Sequence, residues 1–415
     1  MRSFFGIQSV PMLRFLTAGE SHGQALVATL DGVPAGLELD FSAIDVQLRR
    51  RQGGYGRGRR MAIENDHAEI LSGVRQGSTT GAPIALLIRN KDWVNWQQTM
   101  FTEPRMPADA TGTRKPPVTR PRPGHADLAG AIKYDHDDVR DVLERASARE
   151  TAARVAIGTI ARQLLARFEI HITSHVMTIG DVSLPATRAV SADEARALPD
   201  EGPLRCVDPA VEQRMVAAID AAREAGDTLG GAFEVIVTGI PAGLGSYTQW
   251  DRKLDGRLAQ AIMCIHAIKA VGIGIGPEVA VRPGSRVHDE ILPPLDEQGD
   301  RLVRPTNNAG GLEGGVTNGE DVRVTGFMKP ISTLMKPLRS VDLSTLSEAP
   351  AAIERSDVCA VPAAAVVGEA MLAFVIADAF LEKFGGDSLG EIERHYAATA
   401  EQVRRRFTRR AITNH

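Results

Sequence analysis

Two histidines stand in turns stiffened by glycine or proline: His22 in GESHG (19–23) and His125 in RPRPGHAD (120–127). An imidazole on a backbone that cannot wander suits proton donation better than a mobile one. Cations with hydroxyls beside them surround these turns in the sequence. ERASARET (144–151) sets Arg145 and Arg149 four residues apart, with Ser147 between them, at the start of an apolar helical run. Free N–H groups at a helix start, a hydroxyl and fixed guanidinium groups make a seat for phosphate or another anion. RRRQGGYGRGRR holds Arg49, Arg50, Arg51, Arg57, Arg59 and Arg60 within twelve residues. KPIST (329–333) puts Lys329 near Ser332 and Thr333, and RSD (355–357) joins Arg355, Ser356 and Asp357. This inventory fits a cavity for a polyanionic small molecule, with imidazoles as proton donors.

Other chemistries lack their residues. No GxSxG elbow is present for nucleophilic hydrolysis, and no phosphate loop for kinase chemistry. The glycines of 53–58 follow no strand and precede no Lys-Ser/Thr, so they match neither a P-loop nor a dinucleotide fingerprint. His171 and His175 are four apart, but in a β-branched run rather than on a helix, so no metal site is expected. A net charge of -4 argues against general nucleic-acid binding, so any anion must be held by local arginines. Cys206, Cys264 and Cys359 are isolated, as in a reducing cytoplasm. No apolar run is expected to span a membrane. Two other classes remain open on the residues alone. An RNA-binding arginine-glycine segment would show salt-sensitive affinity; a flavin reductase would need a βαβ unit with GxGxxG.

The elements that must position these groups follow from patterning. MLRFLTAGESHGQALVATLDGVPAGLEL reads as strand, turn, strand, and DFSAIDVQLRRR as a helix capped by Asp40 or Ser42. Ser147 is placed as N-cap with Glu150 completing a capping box, ahead of a face made by Ile157, Ile160, Ala161, Leu164, Leu165 and Phe168. Residues 91–125 are polar, proline-rich and without period, which predicts a lid or disorder. Residues 251–276 read as a helix with a glycine-rich exit, and 322–333 as a strand ending at Lys329. NNAGGLEGGVTNGE (307–320) is expected to turn free backbone amides toward a ligand. AAAVVGEAMLAFVIADAFLEKFG predicts a buried helix, and Ile392, Tyr396, Ala400, Val403 and Phe407 the seam of a last one. Residues 1–11 form an N-terminal extension, and 12–415 a single domain.

GESHG, RRRQGGYGRG, RPRPGHAD, RASARET, NNAGG with Gly314 and Gly315, KPIST and RSDVCAVP occur in the order and over the span of the chorismate synthase family, which the chain resembles from Met12 to its last helix. The resemblance implies an α+β fold, a single-domain β-α-β sandwich of antiparallel sheets flanked by helices, assembled as a homotetramer. It implies a carbon–oxygen lyase that makes chorismate from 5-enolpyruvylshikimate 3-phosphate by 1,4-anti elimination, requiring reduced FMN without net redox change. Matched by motif, His22 and His125 are the family histidines, one serving the flavin near N1 and one the leaving phosphate; Asp357 is the carboxylate that works with flavin N5 on the ring proton. Flavin positions fall on Arg145, Ala146, Ser147, His266, Ala267, Gly314, Lys329, Pro330, Ile331, Ser332, Thr333 and Arg355. Arg51 and Arg57 match arginines associated with nicotinamide nucleotide; on charge grounds they are expected to clamp substrate phosphate or carboxylate. NADPH enters as an indirect reductant, through an external flavin reductase. His266 departs from the Asn, Pro or Gln usual there, and AVGIGIG lacks the acid of the usual GVEIG.

Overall fold

The computed structural model describes residues 12–58, 66–185, 188–294, 302–354 and 356–408. The 1–11 extension, Arg59, Arg60 and Arg355 lie outside the described residues. Strands β1 (Arg14–Ala18), β2 (Ala25–Asp31), β3 (Ala68–Ile70) and β4 (Ile84–Arg89) form an antiparallel sheet in the order β1-β2-β4-β3. Alternation along β2 and β4 turns Leu26, Ala28 and Leu30, and Ile84, Leu86 and Ile88, into the core. A second antiparallel sheet contains β5 (His171–Ile179), β6 (Val182–Ser183), β7 (Gly231–Thr238), β8 (Ile268–Ile273) and β9 (Val322–Met328), in the order β8-β9-β7-β5-β6.

Helices fill the space between the sheets. Helix α1 (Phe41–Gln52) starts at Asp40, whose carboxylate accepts from the N–H groups of Ser42 and Ala43. Asp40 is therefore the cap, and Ser42 only donates its hydroxyl to it. Helix α2 (Asp127–Tyr134) and helix α3 (Arg140–Arg145) precede α4 (Thr151–Ala166), which packs on β2 and β4. Every residue of the expected apolar face, from Ile157 to Phe168, is buried. Helix α5 (Pro209–Ala225) lies against β5 and β6. Helix α6 (Leu254–Met263) leads into β8, so the glycine-rich exit of 251–276 runs as a strand. Helix α7 (Val361–Phe384) packs on α4 and on β5 and β7, and α8 (Leu389–Thr408) follows. The layers are thus sheet, helices, sheet. The β-α-β sandwich expected from the resemblance is the observed architecture.

Two details fix how tightly the middle layer packs. A Cβ on Gly158 would lie 2.5 Å from the Ala370 carbonyl oxygen, so α4 and α7 cross where only hydrogen fits. Helix α7 is long and apolar enough to cross a bilayer, contrary to expectation, but 89% of its most apolar window is buried inside the fold. It is a core helix. The carboxylate at its centre, Glu369, meets Arg50 at 2.7 and 3.0 Å, Arg162 at 2.8 Å and the Ser174 hydroxyl at 2.6 Å. Burial opposes that charge, and the surrounding arginines outweigh burial, holding Glu369 well below the usual carboxylate range. The last seam is shorter than expected: Ile392 is fully buried, whereas Val403 is exposed.

Candidate active site

His22 follows β1 in a turn whose geometry is set from outside. Its ring Nδ1 lies 2.9 Å from both carboxylate oxygens of Glu144, and its backbone N–H donates to Glu144 Oε2 at 2.8 Å. Ser21 N–H donates to the Glu144 carbonyl at 3.0 Å. One residue of α3 therefore holds both the turn and the ring. Glu144 is fully buried, and Arg140, one turn before it, stands 3.7 Å away. The other control on the ring is Trp96, stacked on it at 3.7 Å between centroids with 19° between planes. A carboxylate on Nδ1 fixes a proton there and turns Nε2 toward chemistry.

His125 is held locally. Its Nδ1 is 2.5 Å from Asp127 Oδ1, and Asp127 is wholly buried at the first position of α2. Arg122 donates from Nε to Asp127 Oδ2 at 2.8 Å and from Nη2 to Oδ1 at 3.1 Å, and its Nη1 reaches the Thr333 hydroxyl at 3.0 Å. Burial would raise the Asp127 carboxyl, but hydrogen bonds from His125 and Arg122 and the Arg122 charge outweigh it, so Asp127 lies well below the usual range. With Nδ1 spent on Asp127, the other ring nitrogen, Nε2, has Arg122 Nη2 3.4 Å away.

KPIST closes against this turn. A Cβ on Gly124 would stand 3.6 Å from Ser332 Cβ and 3.7 Å from Lys329 Nζ. Thr333 joins Arg122, and the Ile331 carbonyl accepts from Thr228. The Lys329 N–H donates to the Ala267 carbonyl, which brings the turn at His266 and Ala267 to the same edge. Ala267 adopts φ 67°, a left-handed conformation that side chains seldom take. His266 Nδ1 is buried without a hydrogen-bond partner. Burial lowers the His266 pKa, the nearby Glu150 carboxylate works against that, and Arg154, His125 and Arg145 reinforce it. The half-buried Lys329 ammonium is likewise lowered, by burial and by Lys269, and has no carboxylate partner among the described residues. Arg145 donates to the carbonyls of Gly19 and Thr17 and has no acid partner among the described residues. Ala146 is the C-cap of α3 beside it.

Several placements differ from expectation. Ser147 does cap, accepting from Arg149 N–H, but the helical turn it caps is the 3-10 turn Ala148–Glu150. No capping box forms, because Glu150 turns to the Thr17 hydroxyl at 2.6 Å and to Arg154 at 2.9 Å. The amides of NNAGG are not free: Asn308 and Ala309 N–H donate to Asp289, and Gly311 N–H to Asn307 Oδ1. Gly314 lies apart from the KPIST edge. It tips a hairpin bonded to the Val322 end of β9, roughly 20 Å along that strand from Lys329. There it lines a cavity of about 450 Å³ with Ile273, Val279, Asn308 and Leu312. Arg51 is buried on Asp66 at 3.0 Å, which also takes Arg149. Arg57 pairs with Asp357 Oδ2 at 2.7 Å, while Gly58 N–H donates to Oδ1 at 2.7 Å. The arginine expected on substrate thus touches the carboxylate expected to take the proton.

Glu144, Asp127 and Trp96 were missed as parts of the site. Asp127 is visible in RPRPGHAD as an acid two residues past the histidine. Glu144 opens ERASARET but sits 122 residues from His22, and nothing local marks Trp96 as its neighbour.

A sandwich with two carboxylate-backed imidazoles and uncompensated cations at one edge defines an enzyme for proton transfer on an anionic small molecule. The sequence model of chorismate synthase matches residues 13–381. Chorismate synthase of Solibacter usitatus is 56% identical over 396 residues, 95% of this chain and all of that one; that of Geobacter metallireducens is 55% identical over 397 residues, with the same coverage. A chorismate synthase crystal structure superposes with a TM-score of 0.75 at 42% identity, covering 94% of this chain and 98% of the other. The chain belongs to the chorismate synthase family. It is accordingly a carbon–oxygen lyase acting on phosphates, and the family reaction is phosphate elimination from 5-enolpyruvylshikimate 3-phosphate to give chorismate.

Proposed function

We propose that this reaction is carried by His22, His125 and Asp357, with reduced FMN as cofactor. The observation that supports it most is the pairing of each histidine with a fully buried carboxylate, beside cations that no acid among the described residues neutralises. Breaking a carbon–oxygen bond to phosphate builds charge on the leaving group. Lys329, Arg145 and a protonated imidazole answer that charge. His125, with Nδ1 given to Asp127, presents Nε2 to the phosphate; His22, with Nδ1 given to Glu144, keeps a proton at the flavin. Asp357, steered by Arg57 and Gly58 N–H, takes the ring proton.

The same edge suits a flavin. The buried, unpartnered Nδ1 of His266 and the uncompensated ammonium of Lys329 are what a heteroaromatic ring with a phosphate tail would satisfy. Arg145, Ala146, Ser147, His266, Ala267 and Lys329 to Thr333 would hold it, with Arg355 assigned by motif. When bound, reduced FMN supplies electron density transiently and recovers it. Gly314, at the far end of β9, is assigned on motif alone. Arg57 serves the site through Asp357, and Arg51 through Asp66 and Arg149. The wider reading is a cytoplasmic homotetramer of one domain (12–415), its flavin reduced by an external reductase with NADPH behind it.

The test is anaerobic turnover of 5-enolpyruvylshikimate 3-phosphate with dithionite-reduced FMN, following chorismate absorbance. Wild type should turn over only with reduced flavin, and His22→Ala, His125→Ala and Asp357→Ala should each lose about 10²–10⁴-fold. Turnover without flavin, or three variants as fast as wild type, would sink the assignment.

A further inference from the structure

Between Lys91 and Arg120 one side chain is buried, Trp96, at 8% exposure. Residues 116–120 are tied to the body of the fold, at Asp138, Val139, Arg140, Leu343 and Ala352, whereas 96–115 bond within their own segment. Trp96 Nε1 donates to Asp92, Gln98 to the Ala110 carbonyl, Thr111 to the Val94 carbonyl, and Lys115 N–H to Thr99. Among the described residues, the hydrogen bonds of 96–115 end within 92–115. The buried indole reaches inward and stacks on His22. Lys115 Nζ stands over the same indole at 4.3 Å from its centroid and the Arg140 guanidinium at 5.6 Å, so cations as well as the imidazole attend the ring.

We propose that Trp96 is a positioning residue for His22 and the latch by which the 92–115 segment docks on the site. Glu144 fixes the imidazole in its plane, through Nδ1. The stacked indole covers one face, excludes water there and blocks rotation of the ring about its bond to the chain. Neither control does the other's work. Release of the segment removes the stack, so docking and a correctly turned His22 are one event. This rests on the reading of His22 as a site residue, and the measurements separate the two.

Three measurements decide it, two of which need no turnover. In a Trp93→Phe, Trp250→Phe background Trp96 is the emitter, and His22→Ala should brighten it by removing the stacked imidazole; unchanged emission overturns the proposal. Trypsin should cut the segment, at Arg105 or Arg114, roughly tenfold faster in Trp96→Ala than in wild type, a loss the size of one aromatic pair. Equal cutting overturns the latch. In the chorismate assay Trp96→Ala should lose on the order of tenfold or more in kcat with KM nearly unchanged, and Trp96→Phe, which keeps a flat face, should recover most of both effects. An alanine variant with full kcat, or a phenylalanine variant as poor as alanine, overturns the positioning role. If His22→Ala brightens Trp96 and wild type resists trypsin as expected, yet wild type makes no chorismate, the reaction is at fault and the latch stands.

Discussion

The two imidazoles reach the same arrangement, Nδ1 against a buried carboxylate, by opposite routes. His125 is fixed within its own turn, by an acid two residues on and an arginine three residues back, on a backbone stiffened by Pro121 and Pro123. His22 is fixed across the fold, by a glutamate 122 residues away on α3 and an indole in a separate loop. Compensation also differs. Asp127 shares two short bonds with Arg122, whereas Glu144 has Arg140 at 3.7 Å and otherwise spends its oxygens on His22. The local pair is built to survive motion of its surroundings. The distant pair forms only when α3 and the turn after β1 are both in place.

Removing either carboxylate while leaving its shape should produce the largest effects. Glu144→Gln and Asp127→Asn each free the Nδ1 proton to move to the other nitrogen and withdraw the charge that supports an imidazolium. Each should cost about 10²–10⁴-fold in kcat under reduced FMN. If one amide variant kept wild-type turnover, its histidine would not be a proton carrier, and the two pairs would cease to be equivalents.

Stability should separate the pairs next. Asp127→Asn strands a buried guanidinium, and breaking such a pair costs about 3–5 kcal/mol. Glu144→Gln leaves no bidentate arginine behind and still offers an oxygen to His22 N–H, so about 1–3 kcal/mol is expected. Urea unfolding reads both. The pH dependence carries a sign: a carboxyl held below its ordinary 3.8 adds stability that is complete above that value and lost as pH falls through its folded value. The gap between wild type and Asp127→Asn should therefore be constant near neutrality and narrow below about pH 4. A gap that widened in acid would mean Asp127 is not ionised in the fold.

What could be read from the chain follows the same division between local and distant. The apolar face of α4 and the Asp40 cap are contained in short windows, and both stand as expected. So does the His125 turn, whose supporting acid lies inside the motif. The NNAGG amides misled because glycine content says a backbone can face a ligand, not that it does; Asp289, some twenty residues earlier, claims them. Glu150 misled because a capping box is only one use of an acid at that position, and Thr17 on β1 with Arg154 offered better bonds. Arg51 and Arg57 were legible as cations but not as members of ion pairs, since pairing is decided by which acid the fold brings near.

The smallest effect expected tests how far the local pair is independent. Thr333 is the one hydroxyl that ties the Arg122–Asp127–His125 unit to KPIST, accepting from Arg122 Nη1 at 3.0 Å. Thr333→Val keeps shape and volume but leaves that N–H without its acceptor, beside an arginine still held twice by Asp127. A hydrogen bond to a charged group contributes about 1.5–3 kcal/mol, and the remaining bonds place this loss at the lower end. Turnover should fall less than in Asp127→Asn, because the proton on His125 Nδ1 still has its carboxylate. In the double variant the two stability losses should sum to less than their separate values, since Arg122 is the shared partner. Strict additivity would mean that Thr333 acts on KPIST alone, and that the His125 pair is as self-contained as its sequence suggests.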